Sequence, residues 1–208
     1  AQSFVVTNAT VATGDGSEPI ENGHVVVRDG QVAEVGSGAA PAGYPAIDAG
    51  GGWVTPGLVA TVTSLGLWDV GAVGESNDTR AGRSPFSAAL DVAPAINPNS
   101  QHVMIHRAAG ITRAATVTMP SSSIFGGQGA IIDLGADGEP VTRARAFQIV
   151  ALGESGARLA GGSRASAHAL FRNALREAGE FERNGTITSP GGGRGITRQG
   201  DDIGIDSR

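Results

Sequence analysis

At 208 residues, 40% hydrophobic and 17% charged, the chain is long enough for one domain, or for a small domain joined to part of a larger one, and its composition is globular rather than disordered. Its formal net charge is −5 with no arginine-rich stretch, which argues against a surface built to neutralise phosphates and so against nucleic acid as a partner. All 15 basic residues are Arg and there is no Cys, so a P-loop or Schiff-base lysine, a carbamylated-lysine bridge, a disulfide and a thiolate metal site are all excluded.

The sequence opens Ala1-Gln2, a pair of the kind that follows a small-residue cleavage site, and this gives the expectation of a periplasmic or secreted bacterial protein whose signal peptide has been removed. No apolar run approaches the length of a transmembrane helix. Short alternating runs follow. Phe4-Val5-Val6, His24 to Arg28 and Gln31 to Val35 read as strands, and Asp29-Gly30 between the last two is a strong hairpin signal because both turn positions need positive φ. Residues 1–55 are therefore expected to form a small antiparallel β domain.

From Trp53 the character changes. Leu58 to Thr63 has no polar face, as expected of a strand buried on both sides in a parallel sheet. A Gly- and Asp-rich connection, Gly71 to Ser84, follows. Asn99-Ser100 is placed to cap a helix through His102 to Ala109, with Gly110 at the left-handed position that ends it. Ile111 to Met119 reads as a second buried strand. Ala130 to Leu134 reads as a third, entered through a turn at Gly126-Gly127-Gln128-Gly129. The clearest helix runs from Arg164 to Arg183, capped by Ser163, with Leu170, Ala174, Leu175 and Ala178 forming an apolar stripe. Beyond Asn184-Gly185 periodicity stops, and residues 186–208 read as a flexible glycine-rich loop or terminus.

Four stretches together resemble the amidohydrolase superfamily, in its imidazolonepropionase-like and dipeptidase-like branches. They are Gly14-Asp15-Gly16 with Asp29-Gly30-Gln31-Val32, then Asp48 to Leu58 with its Thr55-Pro56-Gly57, then Arg107 to Ala114, then Gly126 to Ile131. The resemblance implies an α/β fold: an N-terminal β-sandwich over 1–55 whose remaining strands come from elsewhere, and the first half of a (β/α)8 TIM-like barrel over 56–185. A barrel of that kind takes roughly 250 residues, and only about 150 remain after the sandwich. The missing half is expected from another polypeptide, either a C-terminal fragment of the same precursor cut in the glycine-rich segment or a homologous chain, in an oligomeric assembly.

In active relatives the family pattern after Thr-Pro-Gly is Asp-Ala-His-x-His, with both imidazoles on one metal. Here the stretch is Ala60-Thr61-Val62-Thr63-Ser64, so Val62 and Ser64 occupy the His-x-His positions and no metal ligand is expected in this chain. If the protein is active, the resemblance implies one divalent metal, zinc by preference, with its ligands in the missing half.

No catalytic residue is identified. For substrate binding, the candidates are Thr63 and Ser64 at the strand end, with Asn77, Asp78 and Arg80 in the loop after it, where Asp78 and Arg80 would suit a polar or zwitterionic ligand; Glu75 and Arg83 share that loop. The alternative is a solvated charged loop. His102 and His106 have the i, i+4 spacing of zinc proteases, but Val103 stands where the Glu would be, and surface histidines are the simpler reading. His24 and His168 are isolated, each packed or solvated rather than a ligand. Gly126 to Gly129 reads as a permissive turn, with anion cradling the alternative. No Gly-x-Ser-x-Gly elbow is present. Two functions follow: a hydrolase of C–N bonds in amides, cyclic amides or small peptides, or a catalytically degenerate scaffold or binding subunit.

Overall fold

The computed structural model describes residues 2–135 and 139–184. The glycine-rich segment 186–208 and its expected cleavage lie outside the described residues. The chain divides into two compact units, Ala1–Gly57 and Leu58–Arg208.

The first unit is a five-stranded sheet. Strands β1 (Phe4–Val11), β2 (Ile20–Arg28) and β3 (Gln31–Ser37) run antiparallel in the order β3-β2-β1, and the β2–β3 hairpin turns at Asp29 and Gly30, with φ of 53° and 79°. The Asp-Gly signal therefore marks the turn it predicts. The sheet is not wholly antiparallel, however: β4 (Ala46–Asp48) and β5 (Trp53–Val54) both pair with β1 in parallel. Their runs of three and two residues are too short for periodicity to reveal. Ala9, Val11 and Val25 make the core of this unit, with Val6, Ile20, Ala49 and Val54 packed on it. Among the described residues the unit forms one sheet, without the second layer of a sandwich.

The second unit holds a four-stranded sheet in the order β6-β7-β8-β9: β6 (Leu58–Thr63), β7 (Ile111–Thr116), β8 (Phe125–Asp133) and β9 (Val141–Val150). Connection length sets its topology. Residues 64–110 leave room for a crossover containing helix α1 (Gln101–Ala108), so β7 pairs with β6 in parallel. Residues 117–124 and 134–140 leave no such room, and β8 and β9 return antiparallel. Of the βα repeats expected from the resemblance, one βαβ unit is therefore present among the described residues. Helix α1 begins as the sequence predicts, with the Ser100 side chain accepting from the His102 amide, and Gly110 adopts φ 89° after it. Val103 packs from α1 onto Leu65, Ala114, Ile132 and Leu134, the centre of this unit's core.

Several sequence expectations are corrected. Leu58 to Thr63 forms a strand, but Leu58 and Val59 are each 63% exposed and Val62 is 56% exposed, so these side chains are largely uncovered on the sheet faces, and β6 is also an edge strand, with β7 on one side alone. Ile111 to Met119 is strand only as far as Thr116. The Gly126 to Gly129 segment lies inside β8 instead of forming a turn, and Phe147 of β9 packs over Gly129. Helix α3 (Arg164–Asn184) is present, and Ser163 Oγ accepts from the Ala165 amide at 3.2 Å. Its stripe is only partly covered: Ala167 is buried, whereas Leu170 and Leu175 are exposed. Strand β9 and helix α2 (Glu154–Leu159) carry no clear sequence signal.

Candidate functional site

In an open α/β sheet, ligands bind beyond the carboxyl ends of parallel strands. In the second unit that place is the end of β6 and β7, with the long crossover above it, and the sequence candidates fall there.

Thr63 and Ser64 close β6. Thr63 is tied down: its Oγ1 donates to the Ala115 carbonyl at 3.0 Å and accepts from the Leu65 amide at 3.3 Å, while its own carbonyl accepts from the Val117 amide at 3.1 Å. Ser64 is half-buried, and its carbonyl accepts from the Leu67 amide at 3.0 Å in the tight turn that follows. Val62, between them and the body of the strand, presents only an exposed isopropyl group.

The loop candidates are held by local contacts. Asn77 Oδ1 accepts from both the amide and the hydroxyl of Thr79, at 3.1 and 2.6 Å, an Asx-turn that organises its own backbone. The Asp78 amide donates to the Leu67 carbonyl at 2.7 Å, which fixes the loop to the turn that follows β6 while the Asp78 side chain stays exposed. Arg80 does not pair with Asp78. Its Nη1 reaches the Pro120 carbonyl at 3.4 Å, joining this loop to the one after β7. Glu75, in a 3-10 turn at Gly74–Ser76, and Arg83 are exposed. Thr63 and Ser64 thus sit together at the end of β6, Asp78 is tied to the turn after it, and the Asp78–Arg80 pair is not assembled.

A polar cluster in this region has no local sequence signal. Trp68 stacks on His102, ring centroids 3.9 Å apart at 26°. His102 Nε2 lies 3.0 Å from the Asp69 carbonyl, so that nitrogen donates; Asp69 Oδ1 accepts from the Gln101 amide at 3.0 Å, and Ser100 Oγ donates to the Trp68 carbonyl at 2.9 Å. An acidic side chain at the first turn of α1 also suits the helix dipole. Trp68 and His102 are far apart in sequence, and no local pattern announces their meeting. His106 Nδ1 bonds the His102 carbonyl at 2.7 Å, so the two histidines are committed to backbone contacts. His168 is exposed on α3. In the first unit, His24 is 3% exposed and its Nε2 donates to Glu34 at 3.3 Å, leaving Nδ1 buried without a partner among the described residues.

The glycine segment does not form an anion cradle. The Gln128 amide already donates to the Leu90 carbonyl at 2.6 Å, and the Val92 amide donates back to the Gln128 carbonyl at 3.3 Å. Glycine is required there because φ at Gly127 is 102° and a Cβ on it would lie 2.7 Å from the Leu90 oxygen.

A divalent metal needs several nitrogen, sulfur or carboxylate donors converging on one point. The residues here do not fit one: Val62 has no donor, the Thr63 hydroxyl is engaged, and no group of three or more His, Cys, Asp or Glu side chains that could hold an ion occurs among the described residues.

No family model and no curated protein matches the chain. Among solved structures it is similar to an amidohydrolase from Thermotoga maritima MSB8, at 20% identity over 98% of this chain and with a TM-score of 0.76. The match takes in the N-terminal part of that protein, 54% of its length, so this chain spans about half of the structure it resembles. A molinate hydrolase and a second amidohydrolase share shorter stretches, at 29% and 19% identity over 32% and 33% of this chain and 15% and 17% of theirs, with TM-scores of 0.29 and 0.30. The fold of the chain is that of the N-terminal part of an amidohydrolase, as the sequence resemblance implies.

Proposed function

We propose that this chain is the N-terminal part of a longer hydrolase that cleaves C–N bonds in amides, cyclic amides or small peptides. The observation that carries the reading is the match of nearly the whole chain to about half of an amidohydrolase. In this reading the rest of the barrel comes from the remaining polypeptide of the same precursor, or from a homologous chain, and it covers the apolar edge of β6. Donors for a divalent ion, zinc by preference, then belong to that other part, since the described residues supply none. Thr63, Ser64, Asn77, Asp78 and Arg80 line the approach at the strand end and contribute positioning rather than bond cleavage. The test is turnover by the whole protein on a panel of N-acyl amino acids, cyclic ureides and dipeptides, with and without a chelator. Hydrolysis of one class, lost on chelation and regained with zinc, is the expected result. No turnover from a folded whole protein overturns the reading.

A second reading is favoured by Val62 and Ser64 in the ligand positions: a catalytically degenerate amidohydrolase fold serving as a scaffold or binding subunit. It expects the same assembly with no hydrolysis, and fold alone does not choose between the two.

A further inference from the structure

The acceptor signature for N-linked glycosylation, Asn-x-Ser/Thr with x other than Pro, occurs at Asn8-Ala9-Thr10, Asn77-Asp78-Thr79 and Asn184-Gly185-Thr186. Such triplets are common by chance, so the fold decides which asparagine is available. The modification joins a bulky sugar to the side-chain nitrogen and needs an exposed carboxamide on backbone that a transferase can hold. Thr186 lies outside the described residues, which leaves Asn8 and Asn77 to compare.

Asn8 is unavailable on three counts. It lies inside β1, a strand with partners on both sides, and the next two residues of its triplet, Ala9 and Thr10, pair with Gly23 and Trp53. Its carbonyl accepts from the Gly51 amide at 2.7 Å. Its Nδ2, the atom that would take the sugar, donates to Asp48 Oδ1 at 3.0 Å.

Asn77 differs where it matters. Asn77 to Thr79 lies in the crossover, outside the named helices and strands, and Asn77 is exposed. The Thr79 amide and hydroxyl both donate to one atom of the Asn77 carboxamide, at 3.1 and 2.6 Å. A backbone amide can only donate, so that atom is Oδ1, and Nδ2 is the one turned away from Thr79. Among the described residues Nδ2 has no hydrogen-bond partner. The hydroxyl that the motif demands at its third position is thus in contact with the acceptor's own carboxamide, while the reacting nitrogen stays open.

We propose that Asn77, and not Asn8, is an acceptor for an N-linked glycan in the folded protein. The co-substrate is an oligosaccharide carried on a lipid diphosphate. The bond from sugar C1 to the diphosphate oxygen breaks and its electron pair leaves with the diphosphate; the C1–Nδ2 bond forms, and one Nδ2 proton passes to a base of the transferase. This goes beyond the hydrolase reading, and its test does not use turnover.

In the experiment the folded protein is incubated with a lipid-linked oligosaccharide and a single-subunit oligosaccharyltransferase that reads Asn-x-Ser/Thr, then digested with trypsin. Because the chain has Arg and no Lys, the three triplets fall in separate peptides, 1–28, 29–80 and 184–194, and Asn77 is the one asparagine of 29–80. The expected result is glycan mass on 29–80 and none on 1–28. That mass is expected to vanish in Asn77→Gln and Thr79→Ala and to persist in Thr79→Ser, with circular dichroism checking each fold. A synthetic peptide of residues 3–14, free of the sheet, is expected to take the sugar at Asn8. Peptide 29–80 left bare in the folded protein, while a standard acceptor peptide is modified in the same reaction, overturns the proposal. Glycan on Asn8 of the folded protein overturns the selection by the fold, as does a synthetic 3–14 peptide that takes none. Since 29–80 holds a single asparagine, its mass in the unaltered protein decides even if a variant fails to fold.

Discussion

The imidazole of His102 lies over the indole of Trp68, centroids 3.9 Å apart, and it also donates to the carbonyl of Asp69, the next residue along the chain from that indole. One side chain on α1 thus holds two neighbouring residues of the crossover. The Asp69 carboxylate returns the contact by accepting from the Gln101 amide, so the loop and the helix start fix each other. Aromatic stacking of this kind is worth about 0.5–1.5 kcal/mol and a hydrogen bond about 1 kcal/mol, so His102→Ala is expected to lower the stability of the second unit by roughly 1–3 kcal/mol. Ser100→Ala, which removes both the helix cap and the bond to the Trp68 carbonyl, is expected to cost about 1–2 kcal/mol. Urea unfolding followed by circular dichroism measures both. A His102→Ala variant as stable as the parent contradicts the stacking account.

A second prediction concerns the turn after β1. The carboxyl of Asp15 is lowered from 3.8 to about 2, first by the Thr13 hydroxyl at 2.7 Å and then by the hydroxyl and amide of Ser17. These bonds favour the ionised form. Because the folded value is the lower one, the stabilisation is fully present above the unfolded value near 3.8 and is lost as the pH falls through the folded value, about 2. Asp15 is fully exposed, so the readout is its own titration rather than a melting curve. Thr13→Val is expected to move the Asp15 midpoint upward toward 3.8 in a carbon-13 NMR titration, and a midpoint left where it was removes Thr13 as the leading cause. Asp48, lowered mainly by the Gly50 amide and then by Asn8, is expected to respond less to Asn8→Ala than Asp15 does to Thr13→Val.

A third prediction follows from Gly129. The Phe147 ring of β9 lies where a Cβ on Gly129 would project, and the two residues are register partners. Gly129→Ala is expected to destabilise the second unit by about 1–3 kcal/mol through overpacking. Phe147→Leu in the same chain is expected to recover part of that loss, a coupling that a double-mutant cycle isolates. Purely additive effects would mean that the ring is not what requires glycine there.

What the sequence made legible was local. Asp29-Gly30, Asn99-Ser100 with Gly110, and Ser163 before an alanine-rich run each declare a turn or a helix end through their own backbone preferences, and each is found where it is read. Contacts at long separation were not legible. Gly126 to Gly129 resembles a turn until Leu90 and Phe147 are seen to press on it, and Thr63 resembles a free hydroxyl until Ala115 and Leu65 are seen to occupy it. At the candidate site the sequence named Asp78 and Arg80 from charge and position alone. The direction of the Arg80 side chain depends on the Pro120 carbonyl, which composition cannot reveal. Burial of β6 was misread for another reason: an apolar hexamer states what it needs to contact, not whether this chain provides it.

The last prediction concerns that unmet need. A strand paired on one side only, with Leu58, Val59 and Val62 all more than half exposed, is a template for another strand and an association hazard when nothing covers it. The isolated chain is therefore expected to self-associate as its concentration rises. Val59→Lys puts a charge on that edge, and because Val59 is 63% exposed the substitution is expected to change folding stability by no more than about 0.5 kcal/mol. Sedimentation velocity should show the association weakened in Val59→Lys while the melting curve stays in place. Association unaffected by Val59→Lys would place the adhesive surface elsewhere, on the exposed leucines of α3 first of all. Loss of folded structure in that variant would mean that the side chain belongs to a core.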